Sequence, residues 1–115
     1  MKTGVESITE ERIRQVSKEG FLPEHDDEHD EGELALAAIC YATPIPIFRL
    51  DKGANAYQFI DPWPWGESWD KRERYDNGNE LQHPVNLARQ DRVRNLVKAG
   101  ALLAAEIDRI NRINN

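Results

Sequence analysis

The segment DRVRNLVKAGALLAAEIDRI, residues 91–110, constrains this chain more than any other. Val93, Leu96, Gly100, Leu103, Ile107 and Ile110 recur at intervals of three and four, the spacing that sets side chains on one face of an α-helix. The pattern predicts a long terminal helix that starts near Pro84 or Asn86 and runs to about Ile113. Gly100 in its middle lowers helix propensity by roughly 1 kcal/mol relative to alanine. That cost is tolerable where another helix approaches closely, and Ala99, Ala101, Ala104 and Ala105 make the surrounding surface low. Such a helix needs a packing partner. Residues 34–42, apolar on nearly every side and closed by Thr43-Pro44, are one candidate, and a second copy of the chain is another.

Upstream, SITEERIRQVSKEG (residues 7–20) reads as a helix: Ser7 and Glu10 fit a capping box, Ile13 and Val16 share a side, and Gly20 is a stop. The next helix begins either at Pro23, whose missing N–H is harmless there, or only after Gly32. Ile45, Ile47 and Phe48, then a turn at residues 51–55, then Tyr57 to Ile60, predict a small β-hairpin. The expected architecture is mainly α: one domain over residues 1–115, with three helices and the long C-terminal helix packed on the central apolar one. The hairpin and a Trp/Pro-rich loop are inserted at 44–80.

A net charge of -6 and a pI of about 5.0 give no global attraction for nucleic acid, so non-specific DNA binding is disfavoured. Cys40 is the only cysteine, so no internal disulfide can form. No basic-then-apolar leader follows Met1, and no apolar run reaches the ~18 residues a membrane span requires. The expectation is a cytoplasmic protein without membrane contact. With 115 residues and a mean hydropathy of -0.74, apolar material for a core is scarce, and self-association would supply more.

Chemistry concentrates in EHDDEHDEGE, residues 24–33, which holds seven carboxylates and two histidines. The oxygens suit Mg²⁺ or Mn²⁺, and the imidazoles widen the choice to Zn²⁺. His25, Asp26, His29 and Glu33, with Glu106 from the apolar stretch of the last helix, form the candidate metal set. The competing reading is a solvated helix start whose acids complement the dipole. Crowded carboxylates repel one another, and a cation or a basic group would relieve them. Glu106 in turn either joins the site or pairs with Arg109. Trp63, Trp65 and Trp69 beside Lys71 and Arg72 could cradle a planar phosphorylated ligand, with Arg92 as a further cation. The same tryptophans could equally be core. Catalytic residues are not identified by any motif.

Taken together, EHDDEH…GELALAAICYA, DPWPW…WDK and DRVRNLVKAGALLAAEIDRI resemble a group of small proteins encoded in phages and prophages. That resemblance implies a role inside the host cell during infection or lysogeny, including counter-defence against a host defence protein. A weaker similarity is to the all-helical nucleotide pyrophosphohydrolases of the MazG and dimeric dUTPase kind. It implies Mg²⁺ held by carboxylates of two packed helices, with Glu28 and Glu31, or the group around Glu33, in the first and Glu106 in the second. The sequence departs from that pattern at Arg109, where an aspartate is expected. Three functions follow as expectations: sequestering a phosphorylated nucleotide, Mg-dependent nucleotide pyrophosphohydrolysis, and inhibition of a protein through the acidic face.

Overall fold

The structure, a computed structural model, describes residues 2–43, 48–51, 57–60, 62–72 and 87–113. Helix α1 spans Gly4–Ser17, one turn earlier than expected. Thr3 and Glu6 repeat the hydroxyl-x-x-carboxylate pattern of Ser7 and Glu10, and the chain uses the first copy. Thr3 Oγ1 accepts from the Glu6 N–H at 3.2 Å, and Glu6 accepts from the Thr3 N–H at 2.9 Å. Gly20 ends this helical turn with φ of 75°, a left-handed conformation that glycine adopts without strain, and the Phe21 N–H returns to the Gln15 carbonyl at 3.0 Å.

The choice between an early and a late second helix is resolved by both occurring. Helix α2 is Pro23–Asp27 and helix α3 is Glu33–Ala42. Between them His29 donates its N–H to the Asp26 carbonyl at 3.0 Å, and Gly32, with φ of 83°, turns the chain into α3. The expected three helices are therefore four α-helices among the described residues, the last being α4, Arg89–Ile113. A short 3₁₀ turn occupies Glu67–Trp69.

Strands β1 (Phe48–Asp51) and β2 (Tyr57–Ile60) run antiparallel, with Phe48 opposite Ile60 and Asp51 opposite Tyr57. The hairpin expected here is not seen as a closed unit, because its turn lies outside the described residues, as do Ile45, Ile47 and the helix start expected near Pro84. The architecture is mainly helical.

The core forms where α3 meets α4. Leu34, Ala37, Ala38 and Tyr41 of α3 pack on Ala99, Leu102 and Ala105 of α4, with Trp63 and Trp65 closing one side. Long helix on apolar helix is as expected, but the face used is different. The large residues of the expected stripe, Val93, Leu96, Leu103, Ile107 and Ile110, are 41% to 58% exposed. Alanines bring the α3 and α4 backbones together, and the bulky stripe is left on the outside. Gly100 is approached closely, but by α1: a Cβ there would lie 2.5 Å from Ile8 Cδ1. No helix among the described residues is long and apolar enough to cross a membrane.

Candidate functional site

A cavity of about 270 Å³ opens between α1, α2, α3, the tryptophan segment and α4. One wall is a run of rings. Phe21 stacks on His25 (4.4 Å, 3° between planes), His25 meets His29 edge-on at 5.0 Å, and His29 lies 5.1 Å from Trp65. The order follows from the chain: Phe21, His25 and His29 are four residues apart, so they lie one above another along α2 and the turn after it. Trp69 and Tyr41 extend the aromatic lining.

The ring wall is held from behind. Asp26 is fully buried; its Oδ2 accepts from Arg12 Nη2 at 2.9 Å, and its Oδ1 lies 3.1 Å from His25 Nδ1. His29 Nδ1 lies 3.3 Å from Glu33 Oε2. Each imidazole therefore has one nitrogen engaged by a carboxylate, which fixes the ring and leaves Nε2 as its other polar atom. Partial burial pushes the Glu33 carboxyl up, yet the N–H groups of Glu31 and of Glu33 itself, with His29, outweigh it and hold the group below the usual range.

Across the cavity stand side chains of α1 and α4. Glu11 accepts from Arg14 at 2.8 Å and from Gln15 at 3.2 Å. Burial raises the Glu11 carboxyl, and these hydrogen bonds more than reverse the effect. Arg14 also reaches Glu19 at 2.9 Å. Lys98 sits 5.7 Å from the Tyr41 ring centre and donates to the Lys71 carbonyl at 3.3 Å. Tyr41 Oη accepts from the Lys71 N–H at 3.2 Å, and burial pushes its phenol up to about 12.

Two residues of the lining each have a buried polar atom without a partner among the described residues: Gln15 Oε1 and the Trp65 Nε1–H. The Gln15 amide nitrogen is committed to Glu11, so the acceptor end is the one left over. Leaving such atoms unmatched costs about 1–3 kcal/mol each, so two of them in one lining stand out from the rest of the interior. The cavity continues into a second cleft of about 590 Å³ that shares Glu11, Arg14, Glu19, Lys71 and Lys98 and adds Arg72 and Arg94.

The expected ligand set divides. Trp65, Trp69 and Lys71 line the cavity, whereas Arg72 lines only the adjoining cleft, buried and bonded to Asp70 at 2.8 and 2.6 Å. Trp63 packs on the core, with its Nε1–H on the Gly66 carbonyl at 3.2 Å and the Arg72 guanidinium 5.0 Å from its ring centre. Arg92 is exposed on α4 and lines neither space.

The expected metal set is not gathered round one point. His25, Asp26, His29 and Glu33 are engaged as described, and Glu106 accepts from Arg109 Nε at 2.6 Å. Among the described residues no group of three His, Cys, Asp or Glu side chains is disposed to hold a metal ion. The closing helix does meet the acidic segment, through cations. Arg112 donates to Asp27 at 2.8 Å. Arg109, its charge held chiefly by Glu106, also feels Asp30 and Asp27. Protein guanidinium groups thus offset the carboxylate repulsion.

Gln15, Glu11, Arg14, Tyr41 and Lys98 are site residues that sequence reasoning did not select. The four-residue spacing of Phe21, His25 and His29 was a readable sign of a ring ladder. Gln15 shares the stripe of Ile8 and Glu11 on α1, a weaker sign that it points inward. No family model, curated protein or solved structure matches this chain.

Proposed function

We propose that the protein binds and sequesters a small phosphorylated nucleotide, with the base against the ring wall and the phosphates toward the basic cleft. The observation that carries this reading is the pairing of an aromatic cavity with an unmatched acceptor, Gln15 Oε1, and an unmatched donor, Trp65 Nε1–H. A nucleobase edge offers the complementary donor and acceptor together on one planar ring. At about 270 Å³ the cavity is close to the lower end of ligand pockets, ~300–1,000 Å³. It suits a base, not a whole nucleotide, and the adjoining cleft supplies room and positive charge for the phosphates. The resemblance to phage-encoded proteins would make such sequestration a counter-defence device.

Hydrolysis of the same ligand is the lesser reading, because Glu106 is committed to Arg109 and Glu33 to the turn before α3. The acidic-face inhibitor has one supporting observation: Glu24, Asp27, Glu28, Asp30 and Glu31 are all exposed.

Titration calorimetry with a panel of nucleosides, nucleotides and inorganic phosphate tests the proposal. Micromolar binding of at least one nucleotide is expected, about -8 kcal/mol, with the matching nucleoside weaker and phosphate alone weaker still. Trp65→Phe keeps the ring and removes the N–H, and should weaken binding about tenfold, the effect of one hydrogen bond. A folded protein that gives no heat with any member of the panel overturns the reading.

A further inference from the structure

Tyr41 belongs to the core and to the cavity at once. The residue is 5% exposed and its ring meets Trp63 edge-on at 5.6 Å, yet it also lines the cavity. A tyrosine divides in this way when its body is dry and its polar tip has a partner to serve. The tip reaches residue 71. Its oxygen accepts from the Lys71 N–H at 3.2 Å, and Lys98, which donates to the Lys71 carbonyl at 3.3 Å, lies 5.7 Å from the ring centre. Lys71 and Lys98 line both the cavity and the basic cleft. The hydroxyl therefore stands at the passage between the two spaces.

A phenol has one donor and two lone pairs. The Lys71 N–H takes one lone pair, and among the described residues the O–H itself meets no acceptor. Burial keeps the proton on the oxygen well above neutral pH. A neutral donor beside an ammonium group suits a phosphoryl oxygen, which is anionic and accepts a short, charge-assisted hydrogen bond. We infer that Tyr41 is a specificity-determining residue: its O–H donates to the phosphoryl group nearest the sugar, beside Lys98, where a nucleotide passes from the cavity into the cleft. The inference rests on the nucleotide reading and narrows it to nucleosides that carry a phosphate on the sugar. The first phosphate is the one selected, and any further phosphates meet only the charge of the cleft.

Titration calorimetry with the four ribonucleosides and their 5′-monophosphates, on wild type and Tyr41→Phe, tests it. The variant keeps the ring against Trp63 and removes the hydroxyl. Its affinity for the monophosphate that wild type binds should fall roughly ten- to a hundredfold, the effect of a hydrogen bond to a charged group, and its affinity for the matching nucleoside by less than about twofold. A second readout needs no variant. Followed by absorbance in wild type, ionisation of Tyr41 should move to higher pH with saturating monophosphate, whose negative charge opposes a phenolate, and should stay in place with the nucleoside. A phenol that only supports the Lys71 N–H would not respond to the phosphate, and this measurement decides the matter if Tyr41→Phe does not fold. Equal binding of the monophosphate by wild type and variant overturns the inference and leaves the nucleotide reading standing. Equal losses for nucleoside and monophosphate overturn it as well, since the hydroxyl then serves the fold alone. A wild-type protein that binds none of the eight compounds overturns both.

Discussion

The inner face of α4 is built from small residues and is buried, while its outer face is built from large ones and is exposed. Ala99, Ala101, Leu102 and Ala105 are at most 5% exposed, against 46% for Leu103 and 58% for Ile107. The difference teaches that closeness of approach, not the size of individual apolar groups, decides which face a helix buries in a domain this small. Alanines let α3 lie against α4, so that Leu34 and Tyr41 from one helix and Leu102 from the other fill the space between. The bulky stripe would hold α3 off, and it stays on the outside.

The sharpest way to break this comparison is to truncate one leucine on each face. Leu34→Ala or Leu102→Ala should cost about 2–5 kcal/mol in urea unfolding, the range for a cavity in a packed core. Leu103→Ala should cost the dilute protein no more than about 0.5 kcal/mol. Equal costs would mean the faces had been assigned wrongly.

The acidic segment repeats the inner and outer contrast at smaller scale. Asp26 is fully buried on Arg12 and His25, while Asp30 is exposed. Asp26→Ala strands the guanidinium and should cost about 2–3 kcal/mol, less than the ~3–5 of a fully enclosed pair because the Arg12 side chain is 18% exposed. Asp30→Ala should be close to neutral, both variants being compared with the wild type in urea unfolding.

Gly100 lies where α1 crosses α4 and tests closeness directly. Gly100→Ala gains about 1 kcal/mol of helix propensity and loses about 1–3 through overlap with Ile8, so a net loss near 1 kcal/mol is expected. In a double-mutant cycle with Ile8→Ala, the overlap should appear as a coupling of about 1–2 kcal/mol. Additive effects would place Ile8 elsewhere.

The smallest effect is Tyr41, silent at neutral pH. Its phenol stands at about 12 in the fold against an ordinary 10, because burial disfavours the phenolate. Between those values the unfolded chain ionises and the folded one does not. Its contribution is therefore complete below pH 10 and is lost as pH rises toward 12. Absorbance titration should show one of the three tyrosines ionising late.

Much of the fold was legible because periodicity and stop signals are local. The long last helix, the apolar helix before Thr43 and the stop at Gly20 can each be read from a few neighbouring residues. The inward face of α4 was not legible, since a stripe of leucines and isoleucines suits a core or an interface equally and only the third dimension distinguishes them. The first cap was overlooked because Thr3 to Glu6 and Ser7 to Glu10 are chemically alike. At the site, Trp65, Trp69 and Lys71 were visible as rings beside a cation. The α1 wall was hidden: Glu11, Arg14 and Gln15 look like any solvated helix surface until α4 is brought against them.

A five-residue helix cannot persist alone, since isolated helices shorter than ~12–15 residues are marginal even in favourable sequences. Helix α2 is held from two sides, by Arg12 of α1 on Asp26 and by Arg112 of α4 on Asp27. The imidazole wall therefore depends on neighbours of α2 and not on α2 alone. On warming, amide hydrogen exchange at residues 25–29 should report the loss of the cavity while α3 and α4 are still protected.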